Sequence, residues 1–355
     1  MIELYYQKTD LRGVICIHDS SCGPATGGTR LWPYKNDQEM HADVLSLARA
    51  MTKKCAIHGL SHGGGKAAFN RSPKDGMTEE ELRWYANELE NLGGHFCTGE
   101  DIGFTVDYVN YMSQFTNHVT GKSKELGGGG DPSLRTAHGL LLGMCACLVF
   151  HVPESTTTRL LGRYTYMIQG AGKVGLPVIK SLVQAGAKVF FCDTNETQAQ
   201  RVQEMFGAAI LVPTTEVFSH RIDFFVPCGK GGTVNKETIP KIAATGCTYI
   251  VPSANNVLRN PDADAKLLKK AGILFVPDYV VNGGGMINIA SEMLPGGYSD
   301  LWAKQKTDNI FDLVLTIFNE AEQTGKTTVA VANAMARSYL AKKKRGRKKT
   351  FLRCA

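Results

Sequence analysis

The stretch from residue 164 to residue 175 reads YTYMIQGAGKVG, which predicts a buried strand, a tight turn and the start of a helix. Its glycines, Gly170, Gly172 and Gly175, follow the pattern G-x-G-x-x-G. Glycines at these positions let the backbone approach a pyrophosphate closely at a helix N-terminus, where unpaired N–H groups point outward. The stretch therefore indicates a βαβ unit that binds a dinucleotide.

An acidic residue completes this pattern. Residues 188–193, KVFFCD, form a second apolar strand that ends on Asp193, eighteen positions after the last glycine. A carboxylate at this place accepts hydrogen bonds from ribose hydroxyls and repels a 2′-phosphate, so the pattern predicts NAD in preference to NADP. Lys173 and Val174 lie in the same turn and are predicted to contact the cofactor. Further strands of a Rossmann-type α/β domain are predicted at 222–227, 248–253 and 272–277.

A second group of motifs lies in the first 130 residues, where strand and helix patterns alternate. Residues 51–69, MTKKCAIHGLSHGGGKAAF, place Lys54 near the end of a predicted helix and Lys66 directly after three glycines. Because glycine serves where the backbone takes positive φ or another group comes close, we predict a glycine turn that delivers Lys66 to a backbone-lined floor. In HFCTGEDIG, Asp101 follows a short strand. Two lysines and a carboxylate are therefore candidates for a common site.

Length and composition set the broad class. A chain of 355 residues exceeds the size at which one core suffices, so two domains are expected. We find no run of about eighteen apolar residues and no apolar leader, which predicts a cytoplasmic protein without a membrane span. The ten cysteines are scattered, without a C-x-x-C pair, and predict reduced thiols. His58 and His62 stand four positions apart but have no third ligand at suitable spacing, so no metal site is predicted.

The net charge of +7 is concentrated near the C-terminus. Residues 342–353, KKKRGRKKTFLR, hold eight positive charges and no acid, which leaves about −1 for the rest of the chain. A body of this charge does not indicate a nucleic-acid partner, and we expect the tail to be a solvated appendage. The predicted units are a catalytic domain, a Rossmann NAD-binding domain, a C-terminal helix that packs on the first domain, and the tail: 1–134, 135–320, 321–341 and 342–355.

Taken in order, the segments GPATGGTR, MTKK, GGGK, TGED, GDPSLRTAHG, GAGKVG, SANN and PDYVVNGGGMIN resemble the motifs of the glutamate, leucine, phenylalanine and valine dehydrogenase family. The resemblance covers nearly the whole chain, to about residue 320. It implies an NAD(P)-dependent amino acid oxidoreductase that forms a homo-oligomer. Its catalytic α/β domain would be completed by C-terminal helices and followed by a Rossmann domain. The implied reaction is reversible oxidative deamination to a 2-oxo acid and ammonia.

The resemblance also implies roles for individual residues. Lys54 matches the lysine that holds the substrate carboxylate, Lys66 the lysine that works on the amino or oxo group, and Asp101 the acid/base carboxylate. Lys66 must be neutral when the amine binds, because a second positive charge beside a cationic amine is unfavourable. A water positioned by Lys66 can then attack the imine while Asp101 shuttles protons. Positions implied to lie near the substrate, the nicotinamide or the rest of the cofactor are Gly27, Asn256, Asn282 and Thr136.

The implied side-chain pocket has four positions, Thr26, Gly99, Met286 and Ile289. Glutamate dehydrogenases carry lysine and serine at the positions of Thr26 and Ile289, so an unpaired glutamate carboxylate would be costly here. Gly99 opens room, whereas Met286 and Ile289 close it. We therefore expect a leucine- or valine-like substrate. The alternatives are an aromatic substrate, phenylalanine or tryptophan, and, in another class, an NAD-binding protein without catalytic activity.

Overall fold

The structure, a computed structural model, describes residues 1–152 and 158–353, with side chains up to residue 152 and from 160 to 345. The chain forms two compact units. Unit 1 contains residues 1–132, 286–303 and 335–355, and unit 2 contains residues 133–285 and 304–334.

Unit 1 is built on a mixed sheet. Its first 132 residues form the strands β1 (Ile2–Tyr6), β2 (Leu11–Asp19), β3 (Ala25–Thr26), β4 (Thr29–Trp32), β5 (Gly63–Asn70) and β6 (Phe96–Cys97), and the helices α1 (Asp37–Ile57), α2 (Glu79–Asn91) and α3 (Val106–Met112). The strand order is β1-β2-β5-β3-β6, with β4 also paired to β5. One apolar core, around Phe69, Tyr85 and Phe96, draws on β5, α2 and β6, while Val44 and Ala48 of α1 pack in a second core with Ala68 of β5.

Strand β5 corrects the expectation of a glycine turn before Lys66. Residues 63–65 lie in the extended strand, and none of the three glycines has a positive φ. A Cβ on the second glycine would overlap Thr52 of α1, and a Cβ on the third would lie 2.7 Å from the ring of Phe96. Glycine is needed here because neighbouring groups approach the strand closely, the other of its two uses.

Helix α2 is anchored by a buried carboxylate. Glu81 and Thr78 form a capping box, in which each side chain accepts a hydrogen bond from the backbone N–H of the other residue. Glu81 also accepts from the hydroxyl of Thr9 at 2.5 Å and from Arg71 at 2.8 Å. Burial alone would raise the pKa of Glu81, but these donors hold it below its ordinary value.

Unit 2 has a parallel sheet. Its elements before residue 285 are α4 (Ser133–His151), β7 (Thr165–Gln169), α5 (Gly175–Gln184), β8 (Lys188–Cys192), α6 (Glu196–Met205), β9 (Ile210–Leu211), β10 (Phe224–Pro227), α7 (Ile239–Ala244), β11 (Tyr249–Ile250), α8 (Pro261–Lys270), β12 (Leu274–Phe275) and α9 (Asp278–Val281). The strand order β12-β11-β10-β7-β8-β9 is that of a Rossmann fold, in which the order of the strands reverses beside β7. The predicted two-domain α/β fold with a Rossmann-type unit is confirmed.

The C-terminal helices are divided differently from the prediction. They are α10 (Gly284–Glu292), α11 (Asp300–Asp308), α12 (Ile310–Thr324) and α13 (Thr328–Arg353). The predicted Rossmann domain ran unbroken to residue 320, but residues 286–303 fold with unit 1. There the Glu292 carboxylate accepts the backbone N–H groups of Gly121 and Gly129 at 2.9 and 2.8 Å. These contacts join segments that lie far apart in the chain.

The prediction that the C-terminal helix 321–341 packs on the first domain is wrong for residues 321–334. They fold with unit 2. The hydroxyl of Thr328 donates to the Phe275 carbonyl of β12 at 2.7 Å, and the Tyr279 hydroxyl donates to Asn333 at 3.0 Å. The beginning of α13 is therefore part of the parallel-sheet unit.

Helix α13 also changes the expectation for the basic tail, 342–355. The helix continues to Arg353, and Lys344 forms an ion pair with Asp19 at 2.9 Å. The tail thus starts as a continuation of a helix and not as a separate appendage. Side chains beyond residue 345, and residues 354 and 355 altogether, lie outside the described part of the chain.

Helix α4 corrects the expectation that the chain lacks an apolar segment of membrane length. Within the described residues it is the one helix that is long and apolar enough to cross a membrane by length and composition, with a mean hydropathy of 1.5. A core helix passes the same test, and α4 packs against α12 and α5 within unit 2. Its buried residues include Leu140, Met144 and Leu148. Hydropathy alone is therefore weak evidence for a span.

Substituting Glu81 by glutamine tests the buried carboxylate of α2. Because the pKa of Glu81 is lowered by folding, its charge contributes stability above the unfolded pKa of about 4.3, and this contribution is lost as the pH falls through the folded pKa. We expect Glu81→Gln to lower the free energy of unfolding by about 1–3 kcal/mol at neutral pH. In urea unfolding, the difference from wild type should shrink towards about pH 3.

The control is Glu79→Gln, in the same helical turn but exposed, which should change stability by less than about 0.5 kcal/mol. An equal loss of stability for Glu81→Gln at both pH values would contradict the stabilising role of the charge.

Candidate active site

An ion pair forms the centre of the site in unit 1. Lys66 Nζ lies 2.9 Å from Asp101 Oδ2, and the two side chains are 8% and 22% exposed. Lys66 projects from β5, whereas Asp101 lies in a tight turn after β6, where its backbone pairs with Phe104. The structure thus brings together the two residues that were predicted to be catalytic.

Arg30, at the start of β4, is a third member of this site that the sequence analysis missed. Its Nε donates to the same Asp101 oxygen at 3.0 Å, and its Nη1 donates to Asp43 of α1 at 3.1 Å. The hydroxyl of Tyr34 donates to Asp43 at 2.7 Å. Burial alone would raise the pKa of Asp101, but the charges and hydrogen bonds of Lys66 and Arg30 hold it below its ordinary value. Arg30 ends the segment GPATGGTR, so a signal was present in a motif already singled out.

Lys54 lies buried in the last turn of α1. This end of the helix packs against β5, since Thr52 occupies the space where a Cβ of Gly64 would be. A cation near a helix C-terminus is favoured by the helix dipole. The two predicted lysines are therefore presented by elements of unit 1 that touch each other.

Thr26 and Gly27 lie at the end of β3, beside β5. Thr26 pairs with Gly64 in a parallel register, and a Cβ on Gly27 would overlap the carbonyl of Gly65. The N–H of Gly27 donates to the Cys97 carbonyl at 3.2 Å. The backbone of Gly27 therefore packs directly on the strand that carries Lys66.

Helix α10 supplies the predicted apolar pocket residues. Met286 is buried and Ile289 half-buried, and their spacing of three places them on one face of the helix. Met293 continues this face, and its Sδ lies 3.9 Å from the hydroxyl of Thr26. Thr26 and the α10 face thus meet within unit 1.

Gly99 does not enlarge this pocket in the expected way. A Cβ at this position would lie 2.8 Å from the carbonyl oxygen of Thr120 and 3.2 Å from its hydroxyl. The space left by the missing side chain is taken by Thr120, so Gly99 is required by a close backbone approach.

His62 is buried beside the glycines and faces the same helix. Its ring donates to the carbonyl of Ala290, while Nδ1 has no hydrogen-bond partner among the described residues. Burial lowers the pKa of His62, which favours the neutral ring. Within the described part of the chain, no group of three or more His, Cys, Asp or Glu side chains could hold a metal ion.

In unit 2, the glycine turn after β7 has the shape that dinucleotide binding requires. Gly170 has a φ of +105°, and a Cβ on Gly175 would overlap the carbonyl oxygen of Gly170. A Cβ on Gly172, in contrast, would meet nothing within 4 Å. The turn therefore needs Gly175 for its own geometry and leaves open space at Gly172, before the N-terminus of α5.

Asp193 directly follows β8 and ties this turn to the strand. Its Oδ2 accepts the N–H of Ala171 at 2.7 Å, and its Oδ1 accepts the N–H of Asn195 at 2.8 Å. A carboxylate oxygen accepts more than one hydrogen bond, so both oxygens retain capacity for ribose hydroxyls. The other predicted cofactor residues lie in the turn, before α5 and in the first turn of α4: Lys173, Val174 and Thr136.

Asn256 and Asn282 are brought together by a network between their two loops. The Asn282 side-chain amide donates to the carbonyl of Ser253 and to Asn255 Oδ1, each at 2.9 Å. The N–H of Asn256, a residue with a φ of +51°, donates to Asp278 at 2.6 Å. Asn282 Oδ1 is buried with no partner among the described residues, so it is a free acceptor in this part of unit 2.

Comparison with known proteins identifies the family. Residues 6–118 match the model "Glu/Leu/Phe/Val dehydrogenase, dimerisation domain", and residues 192–347 match "Glutamate/Leucine/Phenylalanine/Valine dehydrogenase". L-tryptophan dehydrogenase from Nostoc punctiforme is 37% identical over 345 residues, which are 97% of this chain and 94% of that protein. The chain belongs to the Glu/Leu/Phe/Val dehydrogenase family. It is an amino acid dehydrogenase, an oxidoreductase of the NAD(P)-dependent kind, as its motifs indicated.

Other members of the family are similarly related. Phenylalanine dehydrogenase from Bacillus thermotolerans is 37% identical, over 97% of this chain and 88% of that protein. Leucine dehydrogenase from Bacillus cereus is 35% identical, over 98% of this chain and 92% of that protein. A crystal structure of L-tryptophan dehydrogenase from Nostoc punctiforme gives a TM-score of 0.79 at 34% identity, covering 97% of this chain and 96% of that one.

Two alanine substitutions separate the folding and binding roles of the glycine turn. We expect Gly175→Ala to destabilise unit 2 by about 1–3 kcal/mol, because the added methyl overlaps the Gly170 carbonyl. Gly172→Ala should leave stability within about 0.5 kcal/mol of wild type, since its Cβ meets open space. The same methyl should nevertheless weaken dinucleotide binding, where the backbone must approach the pyrophosphate.

Thermal unfolding with and without the dinucleotide measures both effects, because a ligand stabilises the folded state by an amount that grows with the logarithm of its concentration divided by Kd. Full ligand stabilisation of Gly172→Ala would show that the open space is not where the phosphates bind.

Proposed function

We propose that the protein catalyses the NAD-dependent, reversible oxidative deamination of an apolar L-amino acid, with a leucine- or valine-like substrate favoured, to the 2-oxo acid and ammonia. The reaction class follows from family membership. The observation that carries the proposal is the buried contact of 2.9 Å between Lys66 and Asp101. A cation and a carboxylate held this closely can exchange a proton directly.

Substrate binding begins with the carboxylate. Lys54, buried at the end of α1, supplies the fixed cation that an α-carboxylate needs. Lys66 is neutral when the amine binds, having released its proton to solvent. A lysine can do this, whereas an arginine stays charged.

The proton steps follow from the same pair. NAD, when bound, would supply the hydride acceptor for Cα, and loss of the hydride leaves the substrate as an iminium. Lys66 then holds a water that adds to this carbon, and Asp101 accepts a proton from the water. Asp101 then returns this proton to the nitrogen. The carbon–nitrogen bond breaks with its electron pair on the nitrogen while the neutral Lys66 amine takes the proton of the carbinolamine hydroxyl, which gives ammonia and the 2-oxo acid.

The preference for an apolar side chain is supported by the lining of the pocket. Thr26, Met286, Ile289 and Met293 offer one hydroxyl and otherwise apolar atoms. The nearby carboxylate of Glu292 accepts backbone N–H groups, and burial raises its pKa. A glutamate side chain would therefore find no described cation in this lining. A leucine or valine side chain needs none.

An aromatic substrate is the second candidate. It is favoured by the relatives at 37% identity, whose names are L-tryptophan dehydrogenase and phenylalanine dehydrogenase. Thr120, which fills the space beside Gly99, and the methionines Met286 of α10 and Met293 just after it favour a smaller side chain. The proposal therefore keeps the branched-chain substrate first.

NAD in preference to NADP is supported by Asp193. The carboxylate stands at the end of β8, beside the open turn at Gly172. It would accept ribose hydroxyls and repel a 2′-phosphate. Gly170, Gly172 and Gly175 would approach the pyrophosphate at the start of α5, and Asn282 Oδ1 offers a free buried acceptor.

The proposed setting is a cytoplasmic homo-oligomer. The family model that matches residues 6–118 is described as a dimerisation domain, which supports self-association. The described cysteines are all free thiols, and most are buried, which fits a reducing compartment. Small molecules, namely the amino acid, the 2-oxo acid and ammonia, are the expected partners.

The central test is a substrate screen of the wild-type protein. NADH formation is followed with leucine, valine, phenylalanine, tryptophan and glutamate, each with NAD and with NADP. We expect the highest kcat/KM with a branched-chain substrate and NAD. No activity with any of the five would defeat the proposed reaction, and glutamate as the best substrate would defeat the pocket argument.

Two substitutions of Lys66 test the mechanism. Lys66→Ala should lower kcat on the order of a thousandfold, because the water-positioning amine is lost. Lys66→Arg keeps a positive charge beside Asp101 but cannot deprotonate, so we expect a loss of similar size with normal thermal stability. Activity of Lys66→Arg near the wild-type rate would show that a neutral lysine is not required.

Introducing a cation tests the pocket. Thr26→Lys should allow glutamate oxidation and lower kcat/KM for leucine by about tenfold or more, since a buried charge now needs a carboxylate partner. Thr26→Val is the matched control, and it should keep the wild-type order of substrates. Unchanged preference in Thr26→Lys would place the substrate side chain away from Thr26.

A further inference from the structure

Asp101 is held by two cations on one of its two oxygens. Lys66 Nζ and Arg30 Nε both contact Oδ2, at 2.9 and 3.0 Å. Both of these contacts fall on the same carboxylate oxygen. They fix the orientation of the carboxylate through Oδ2.

The Arg30 side chain is held in place by a second carboxylate, that of Asp43. Its Nη1 contacts Asp43 Oδ2 at 3.1 Å, and the hydroxyl of Tyr34 donates to the same oxygen at 2.7 Å. The Arg30 side chain is 17% exposed. A guanidinium in this fork-shaped arrangement has little freedom to turn, and its charge is permanent in the accessible pH range.

The two cations beside Asp101 differ in whether they keep their charge during the proposed reaction. Lys66 loses its charge when the amine binds, according to the proposed function on which this inference rests. At that moment Asp101, largely buried, would lose one of its two cations, and burial favours the protonated acid. Arg30 alone then remains to favour the carboxylate.

We propose that Arg30 is a positioning residue for proton transfer, which keeps Asp101 ionised while Lys66 is neutral and, by binding Oδ2, turns Oδ1 to accept the proton from water. In this scheme Arg30 does not itself contact the reacting atoms. It acts through Asp101, and Asp43 with Tyr34 holds it in place.

The groups around Asp101 define what a pH profile reports. Lys66 comes from β5, Arg30 from β4, and Asp43 and Tyr34 stand behind Arg30, while Glu100 precedes Asp101 in the chain. Burial and the neighbouring Asp43 raise the pKa of Tyr34, so it stays neutral where the enzyme would work. Asp101 and Asp43 both contact Arg30, so the variant Asp43→Asn is needed to assign a shift of the acidic limb of the kcat profile to Asp101.

The experiment compares three variants by the pH dependence of kcat in oxidative deamination. Arg30→Gln keeps a hydrogen-bond donor but removes the charge, and the acidic limb should move to higher pH by about one unit or more, with kcat at neutral pH about ten- to a hundredfold lower. KM for the amino acid should change by less than about threefold, because Lys54 still binds the carboxylate. Arg30→Lys should keep the limb at the wild-type pH.

Asp43→Asn is the structural control, because it loosens Arg30 but leaves its charge beside Asp101. The acidic limb of its kcat profile should lie at the same pH as in the wild type or at a lower pH. An unmoved limb in Arg30→Gln, or an equal upward shift in Asp43→Asn, would overturn the inference. Should Arg30→Gln fail to fold by circular dichroism, Arg30→Lys decides. An upward shift of its acidic limb would overturn the inference, because this variant keeps the positive charge.

The wild-type assay separates this inference from the proposed function. An inactive wild-type protein defeats the proposed function itself. An active wild type whose profile is insensitive to Arg30→Gln defeats only the role of Arg30.

Discussion

Strand β5 has no room for side chains at its first three positions, and the arrangement of unit 1 depends on this constraint. The carbonyl of Asp19, Thr52 of α1 and the ring of Phe96 lie where the Cβ atoms of these three glycines would otherwise stand. Because the backbone is bare here, and also at Gly27, the end of the helix that carries Lys54 and the residue that follows β3 can pack directly on the strand that carries Lys66. Any side chain at these positions would push the members of the site apart.

The second constraint is electrostatic. Lys66, Asp101, Arg30 and Asp43 alternate in sign along a chain of contacts of about 3 Å. Each charge is partly or largely withdrawn from water, which is costly unless a partner of opposite sign is close. The alternation satisfies all four groups at once. It also means that a change in the charge of one member is felt by the next, which suits a site where protons move.

Some elements followed from local sequence signals. The Rossmann-type fold of unit 2 could be predicted because a G-x-G-x-x-G turn and the carboxylate after β8 lie within one βαβ unit, where spacing and geometry are tightly linked. Lys66 and Asp101 could be predicted as partners through the family motifs. The prediction of a glycine turn before Lys66 was wrong. Glycine is used both for positive φ and for close approach of another group, and the sequence does not distinguish the two uses.

The sequence by itself determined the Rossmann-type unit and the family, and it predicted that Lys54, Lys66 and Asp101 belong to one site. Only the tertiary structure decided that Arg30 braces Asp101, that Thr120 fills the space at Gly99, and that residues 286–303 fold with unit 1. Periodicity and turn chemistry act over a few residues, so they can be read along the chain. Arg30 and Asp101 lie 71 positions apart, and Glu292 and Gly121 lie 171 positions apart. Contacts at such separations depend on how whole elements pack, and no local pattern encodes them.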